Sequence, residues 1–255
     1  MNDFNKVLSR HRGILSVISL LAAVVLIFWA VNDPSVVGVA ASKRELPVYC
    51  VQRDEKLVAL SFDAAWGNED TQTLIDTLAA YGANATFFVV GDWVDRYPES
   101  VLAIAEAGNE VMNHSLHHAH FSRLSRQEIL SDVSACNDKI EAVTCVRPTL
   151  FRCPYWEYDD HVIQAVSSLG MTAVQWDVDS LDWKGISAAE IRRRVLDRVQ
   201  PGSIVLFHNA AEHTPEALPE ILESLQADGY RVVPVSELLL RGDCFIDSTG
   251  RQCRR

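Results

Sequence analysis

The sequence lacks the patterns that mark several large classes of protein. Its six cysteines, at positions 50, 136, 145, 153, 244 and 253, are scattered and include no CxxC pair, which argues against a disulfide framework and against a cysteine-based structural zinc site. Neither GxGxxG nor GxxxxGK followed by Ser or Thr occurs, so binding of a nucleotide through a glycine-rich loop is not expected. Only 23 basic residues oppose 34 acidic ones, and this net charge of -11 disfavours nucleic acid as a partner.

The remaining composition is that of one large folded domain. The chain has 255 residues, of which 48% are hydrophobic and 22% are charged, enough for a substantial core. Internal repeats and low-complexity tracts are absent from the sequence. A neutral or small substrate is easier to reconcile with the acidic surface than a polyanion.

A charge-free run occupies residues 13–31 and follows a basic segment at residues 1–12. At about 1.5 Å per residue its length approaches the hydrocarbon thickness of a bilayer, and it exceeds the apolar part of an ordinary signal peptide. We therefore predict a cytoplasmic segment, a single-pass anchor in the cell membrane and an exported domain. Cleavage near residues 39–41 and a buried core helix are the alternatives.

Beyond the anchor, short apolar runs alternate with amphipathic stretches. Residues 32–54 are predicted to be a linker, 55–240 the folded domain, and 241–255 a loose tail that one disulfide could tie. Strands are predicted at Leu57–Phe62, Ala85–Val90, Glu110–Asn113, Leu150–Arg152, Thr172–Val178, Ser203–Phe207 and Arg231–Val235. Helices are predicted at Thr71–Tyr81, Pro98–Glu106, Arg126–Ala142, Asp160–Leu169, Ala188–Val199 and Pro215–Asp228, with glycine stops at 82, 108, 170 and 229. This alternation indicates an α/β fold of parallel units that either close into a barrel or stay open as a doubly wound sheet.

Four of the eight histidines lie between Asn113 and His120. His114 and His118 are four residues apart, so one helical turn would place both imidazoles on the same side, as a shared metal ion requires. A chance cluster of surface histidines would give the same spacing.

Other reactive side chains also follow predicted strands. Because the carboxyl ends of parallel strands lie on one face of a barrel, these side chains are expected to converge there. The segments are 61–67 (SFDAAWG), 113–120 (NHSLHHAH), 151–155 (FRCPY), 177–183 (DVDSLDW) and 206–209 (LFHN).

In this order the five segments resemble the motifs of the polysaccharide deacetylases, the carbohydrate esterase family 4 or NodB-homology domain. The phrases AAWGNEDT, WDVDSLDWKG and GSIVLFHN are most similar to a sporulation-associated, membrane-anchored subgroup. The resemblance implies a deformed (β/α)7 barrel that removes acetyl groups from an extracellular N-acetylated glycan, with peptidoglycan as the expected substrate. Its expected partners are this glycan and the membrane, with no nucleic acid and no nucleotide.

The resemblance also assigns catalytic roles. Asp63 matches the catalytic base and Arg152 the partner that keeps it ionised, while His208 matches the general acid that Asp182 orients. The backbone N–H of Tyr155 matches the donor to the oxyanion. A helix-capping aspartate and a core histidine are the structural alternatives for Asp63 and His208.

His114 and His118 match the two histidine ligands of a divalent metal, with zinc expected and cobalt, manganese or nickel as alternatives. Ser115 fits a small hydroxyl position that would anchor the turn between them. His117 and His120 lie outside the matched pattern, although either could replace a ligand.

Three tryptophans flank the motifs. Trp66, Trp156 and Trp183 are expected to bind substrate, by stacking on sugar rings or as an apolar wall, and packing within the loops is the alternative.

Three residues depart from the family pattern. Ala64 stands where most members have a second metal-binding Asp, Cys153 replaces a usual proline, and Trp156 replaces a common glycine. The alanine should weaken or abolish metal binding unless another oxygen, such as that of Asp63, takes its place. Cys153 also has an alternative interpretation as a nucleophile.

Two functions are therefore predicted from the sequence. The first is a metal-dependent N-deacetylase, supported by the four acid-base residues. The second is a non-catalytic protein that binds wall glycan or assists spore or wall assembly, which Ala64 favours.

Overall fold

The computed structural model describes residues 20–29 and 44–255. The chain divides into two compact units, Met1–Arg44 and Glu45–Arg255. In the first unit, residues 20–29 are helical, and none of the described helices combines the length and apolarity needed to cross a bilayer. Residues 13–19 and 30–31 of the predicted anchor lie outside the described residues, so the anchor stays a prediction.

The second unit has eleven strands and eight α-helices among its described residues. The strands are β1 (Cys50–Val51), β2 (Leu57–Ala64), β3 (Thr86–Val89), β4 (Glu110–Asn113), β5 (Leu150–Phe151), β6 (Thr172–Ala173), β7 (Val178–Asp179), β8 (Ile204–His208), β9 (Arg231–Val232), β10 (Cys244–Ile246) and β11 (Arg251–Arg254). The helices are α1 (Thr71–Ala80), α2 (Gly91–Arg96), α3 (Pro98–Glu106), α4 (Arg126–Thr144), α5 (Asp160–Ser168), α6 (Ala188–Leu196), α7 (Thr214–Ala227) and α8 (Val235–Leu238).

The main sheet is parallel and has the strand order β6-β5-β4-β3-β2-β8-β7, with β9 paired to the start of β2. Its two ends, β6 and β7, are neighbours in sequence, separated only by residues 174–177. Because each residue spans at most about 3.6 Å, the ends of the sheet must lie close together and the sheet must curl. The result is the deformed (β/α)7 barrel that the resemblance implied, and the open doubly wound alternative is wrong.

The predicted strand Thr172–Val178 is divided in the structure. Its middle is bridged to Val48 at Val174, and the Asp177 carboxylate accepts hydrogen bonds from the Ile204 N–H (2.8 Å) and the Ser203 hydroxyl (2.9 Å). The predicted strand Arg231–Val235 is also shorter, since α8 begins at Val235.

Residues 48–51 fill the seam between the two ends of the curled sheet. The Val48 N–H donates to the Ala173 carbonyl (2.9 Å), and the Val48 carbonyl accepts from the Gln175 N–H (2.7 Å). The Val51 N–H donates to the Gly202 carbonyl (2.9 Å), just before β8. The predicted linker 32–54 is therefore too long, because its last residues, from Glu45, belong to the folded unit.

The last residues form part of the same structure. β10 and β11 make an antiparallel pair, and β11 pairs in parallel with β1 to give a three-stranded sheet. Cys244 and Cys253 are both free thiols, because the register places Cys244 opposite Arg254 and Cys253 opposite Phe245. The prediction of a loose tail tied by a disulfide is wrong.

Alternation along β2 sorts side chains between the helix layer and the barrel interior. Val58, Leu60, Phe62 and Ala64 join the apolar cluster that the surrounding helices cover. Leu57 and Ala59 instead join the interior cluster with residues of β3 to β5. Asp63 is on the same face as Leu57 and Ala59, so it lies at the carboxyl end of the barrel interior.

The seam gives a stability prediction. Gly202 has φ +86°, and an added Cβ would lie 1.8 Å from the Val51 carbonyl oxygen. Gly82 has φ +60° and no atom within 4 Å of such a Cβ. We expect Gly82→Ala to lower the free energy of unfolding by about 1–2 kcal/mol through backbone strain, and Gly202→Ala by about 2–5 kcal/mol because steric overlap is added. Equal losses in urea denaturation would contradict the packing of residues 48–51.

Candidate active site

Strand register places the predicted base and acid side by side. Asp63 on β2 is directly opposite His208 on β8. Neighbouring strands lie about 4.8 Å apart, and paired residues of parallel strands point to the same face. The two side chains therefore enter the site together at the carboxyl ends of their strands.

Asp63 is held by a fully buried arginine. An Arg152 terminal nitrogen donates to Asp63 Oδ1 (2.7 Å), and the other donates to the Ser61 hydroxyl (2.9 Å) and the Gln175 carbonyl (3.1 Å). The guanidinium also lies 4.0 Å from the centre of the Phe88 ring. Burial raises the pKa of Asp63, but the charges of Arg152, His114 and His208 outweigh burial and bring the pKa below its ordinary value. The carboxylate is thus ionised and fixed, as a base requires.

His114 follows β4 and is oriented by the backbone of the next strand. Its Nδ1 lies 2.9 Å from the Arg152 carbonyl, which can only accept, so Nδ1 carries the hydrogen. Nε2 is left with its lone pair and lies 3.5 Å from Asp63 Oδ2. Burial lowers the pKa of His114, which keeps the ring neutral and able to bind a cation.

His118 reaches the same place through a loop and not through a helical turn. Ser115 and His118 both have positive φ, +74° and +53°, and the Ser115 hydroxyl accepts from the His118 N–H (2.9 Å) as predicted. The His114 and His118 ring centres are 5.0 Å apart. Burial, and then the neighbouring His114, lower the pKa of His118 to about 4, so this ring is also neutral at physiological pH.

His208 is held by a buried carboxylate. Its Nδ1 lies 2.8 Å from Asp182 Oδ1, and Asp182 Oδ2 accepts from the His208 N–H (2.8 Å) and the Thr214 hydroxyl (2.7 Å). Burial lowers the pKa of His208, but the hydrogen bond and charge of Asp182 outweigh it, and the pKa is raised. His208 is thereby suited to carry a proton near neutral pH.

These side chains meet in one cavity of ≈ 340 Å³. Arg152 and Asp182 lie behind the lining residues, with 0% and 2% of their surface exposed to solvent. The predicted tryptophans, each about half exposed, form its rim together with Tyr155. The lining residues are Asp63, Trp66, His114, His118, Cys153, Tyr155, Trp156, Trp183 and His208.

Two side chains in the cavity have donor atoms that suit a divalent cation. His114 and His118 offer neutral imidazole nitrogens, which suit zinc and similar metals. Ala64 is fully buried among apolar residues and offers no donor. Within residues 20–29 and 44–255, no group of three His, Cys, Asp or Glu side chains is arranged to hold a metal. The protein side chains thus supply one ligand fewer than the three of a catalytic zinc site.

The two other histidines of the cluster are engaged elsewhere. His117 Nδ1 lies 2.8 Å from an Asp92 oxygen, and His120 Nδ1 lies 3.0 Å from a Glu157 oxygen. Their use as replacement ligands stays a prediction. Burial raises the pKa of the Cys153 thiol far above its ordinary value, which disfavours Cys153 as a nucleophile.

Three supporting groups were missed from the sequence. Ser61 and the Gln175 carbonyl hold Arg152, and Thr214 holds Asp182. Ser61 could have been found from the period-two alternation of a strand, since it lies two residues before Asp63 and therefore on the same strand face. Thr214 begins a helix after β8 and has no comparable signal.

Residues 51–174 match the sequence profile of the family described as Polysaccharide deacetylase. The peptidoglycan-N-acetylmuramic acid deacetylase PdaC of Bacillus subtilis is 37% identical over 74% of this chain and 40% of its own length. A peptidoglycan-N-acetylglucosamine deacetylase of Bacillus cereus is 34% identical over 74% of this chain and 91% of its own length. The chain spans about half the length of several curated relatives, including 45% of PgdA of Listeria monocytogenes.

Solved structures with the same fold include a peptidoglycan deacetylase and a protein described as a pseudoenzyme. Wild-type BA3943 of Bacillus anthracis, described as a CE4 family pseudoenzyme, has TM-score 0.74 and 32% identity over 82% of this chain and 73% of its own. A BA3943 mutant described as having restored enzymatic activity has TM-score 0.73 and 34% identity over 75% of this chain and 70% of its own. B. subtilis PdaC has TM-score 0.67 and 37% identity over 74% of this chain and 92% of its own. At this level of identity and coverage, the chain belongs to the polysaccharide deacetylase family.

Proposed function

We propose that this protein hydrolyses N-acetyl groups from amino-sugar residues of peptidoglycan. The observation that carries the proposal is the pairing of Asp63 with His208 on adjoining strands. Arg152 lowers the pKa of Asp63 against burial, and Asp182 raises that of His208 against burial, so base and acid are in their working forms over the same pH range. The named activities of the relatives, on N-acetylglucosamine or N-acetylmuramic acid residues, support this substrate class.

Each step of amide hydrolysis has a group in the cavity. Asp63, held by Arg152, takes the proton of the attacking water. Tyr155 lies at the cavity wall, where its backbone N–H donates to the oxyanion. His208, held by Asp182, gives a proton to the leaving amine, and acetate and a free amino sugar result.

His114 and His118 would hold the divalent cation, for which zinc, cobalt, manganese and nickel are candidates. When bound there, the cation polarises the amide carbonyl. The loss of the third ligand at Ala64 weakens binding by several kcal/mol, roughly the contribution of one charged ligand.

A second candidate is a wall-glycan binding protein that assists spore or wall assembly without catalysis. Ala64 favours it, as does the fold and sequence similarity to BA3943, which is described as a pseudoenzyme. The intact Asp63–Arg152 and His208–Asp182 pairs favour hydrolysis, because a binding protein does not need them.

We further propose a location and a subgroup. The charge-free run at 13–31 supports a single-pass anchor with the folded unit outside the cell membrane. The phrases around Trp66, Trp183 and His208 support membership of the sporulation-associated, membrane-anchored subgroup.

Acetate release from peptidoglycan and from N-acetylglucosamine oligomers tests the proposed reaction. We expect release that requires added zinc or cobalt and stops with chelator. Asp63→Asn should lower kcat on the order of a hundredfold or more, because the base is lost. Asp76→Asn, which removes an exposed carboxylate on α1, should leave kcat unchanged. No release with any of the four metals would contradict the proposal and favour the binding protein.

Ala64→Asp tests the missing ligand. We expect zinc to bind on the order of tenfold or more tightly, because a third, charged ligand is added. Since residue 64 is fully buried among apolar side chains, the unpaired carboxylate should lower the Tm of the metal-free protein, and zinc should recover it. Ala65→Asp adds the same charge one residue later and serves as the control. Titration calorimetry showing equal zinc affinity in both variants would mean that the site is built differently.

The pH dependence tests the role of Asp182. Activity should fall on the alkaline side as His208 loses its proton, at a pH above the ordinary histidine value because Asp182 raises its pKa. Asp182→Asn removes the charge and should move this alkaline limb to lower pH. NMR titration of the His208 ring in both proteins measures the shift even without turnover. An unchanged pKa would contradict the assigned pair.

A further inference from the structure

The loop after β5 carries two strained residues in succession. Tyr155 and Trp156 both have left-handed backbone conformations, with φ +55° and +59°. Each such non-glycine residue costs about 1–2 kcal/mol and persists only when its surroundings fix it. Tyr155 is also half exposed, so burial of its ring does not explain how the loop is held.

His120 contacts this loop at two points. Its ring stacks on the Tyr155 ring, with centres 4.2 Å apart and planes 15° from parallel. Its Nδ1 lies 3.0 Å from a Glu157 carboxylate oxygen, two residues beyond Tyr155. The other Glu157 oxygen accepts from the Ser122 hydroxyl (3.0 Å). The His120 side chain thus links the loop of residues 113–120 to the segment that contains Tyr155 and Trp156.

The other contacts of the strained pair are less extensive. His118 meets the Tyr155 ring edge-on, with centres 4.5 Å apart and planes at 68°. Trp156 meets Trp176 edge-on at 5.6 Å. Of these three ring contacts, the one between His120 and Tyr155 is face to face. The His120 ring is also hydrogen-bonded to Glu157. His120 is therefore the side chain best placed to resist rotation about Tyr155.

We propose that His120 is a positioning residue, which fixes the Tyr155 backbone N–H for the oxyanion by stacking on the Tyr155 ring and binding Glu157. This rests on the proposed hydrolysis, in which that N–H acts in the transition state. A donor that must reorganise during the reaction stabilises the oxyanion less, and small displacements reduce the rate strongly. Because the positioned N–H acts in the transition state, loss of His120 should lower kcat and leave KM unaltered.

The experiment compares four variants of the full chain by NMR and kinetics. His120→Ala removes both contacts, His120→Phe keeps a flat ring, and His120→Leu fills the space without one. His161→Ala is the matched control, since its side chain is 40% exposed beside Asp159, against 41% for His120 beside Glu157. Backbone ¹⁵N relaxation of Tyr155 reports the positioning without any need for turnover, and thermal unfolding confirms the fold of each variant.

We expect the order parameter of the Tyr155 amide to fall from about 0.85 to below about 0.6 in the Ala and Leu variants, and to stay high in the Phe variant and the control. The kcat for acetate release should fall roughly tenfold or more in the same two variants, with KM within twofold. An unchanged order parameter in His120→Ala, or equal losses in the Ala and Phe variants, would overturn the proposal. Absence of turnover in the wild type would contradict the proposed function, and the relaxation result would still decide the role of His120.

Discussion

The ion pair between Asp63 and Arg152, buried inside the barrel, is the interaction on which the site depends. Two charges can occupy such an interior only when their remaining hydrogen-bonding groups are largely satisfied. Ser61 and the Gln175 carbonyl accept from one terminal nitrogen of the guanidinium and Asp63 from the other, so β2, the residue after β5 and the segment after β6 are held around one charge. The Arg152 carbonyl also orients His114, which makes the position of a metal-binding nitrogen depend on the same residue.

Local elements with strong patterns could be predicted from the sequence. β4 (Glu110–Asn113) and α3 (Pro98–Glu106) have the predicted bounds, because their apolar periodicity is clear and Pro98 marks the helix start. α2, of six residues, was missed because so short a helix has too little periodicity to be recognised. The break between β6 and β7 was missed because it depends on contacts between residues distant in sequence, Val174 with Val48 and Asp177 with Ile204.

The convergence of the site residues was predictable because carboxyl ends of parallel strands share a face. The path of the histidine loop was not, since positive φ at Ser115 and His118 arises from hydrogen bonds that form only in the folded loop. Ala64 was visible as a missing ligand, but its burial in the helix-side core required the structure. One cavity therefore combines intact acid-base pairs with an incomplete metal site.

The seam between β6 and β7 also constrains how the chain can fold. Residues 48–51 lie against the barrel, and β1 pairs with β11 so that Cys50 is opposite Arg251, about two hundred residues later in the sequence. Such a contact has a large entropic cost of loop closure. It forms slowly unless the elements between the two residues have already folded and shortened the loop. We therefore expect the barrel to assemble largely before β1 pairs with β11, because that pairing needs the nearly complete chain.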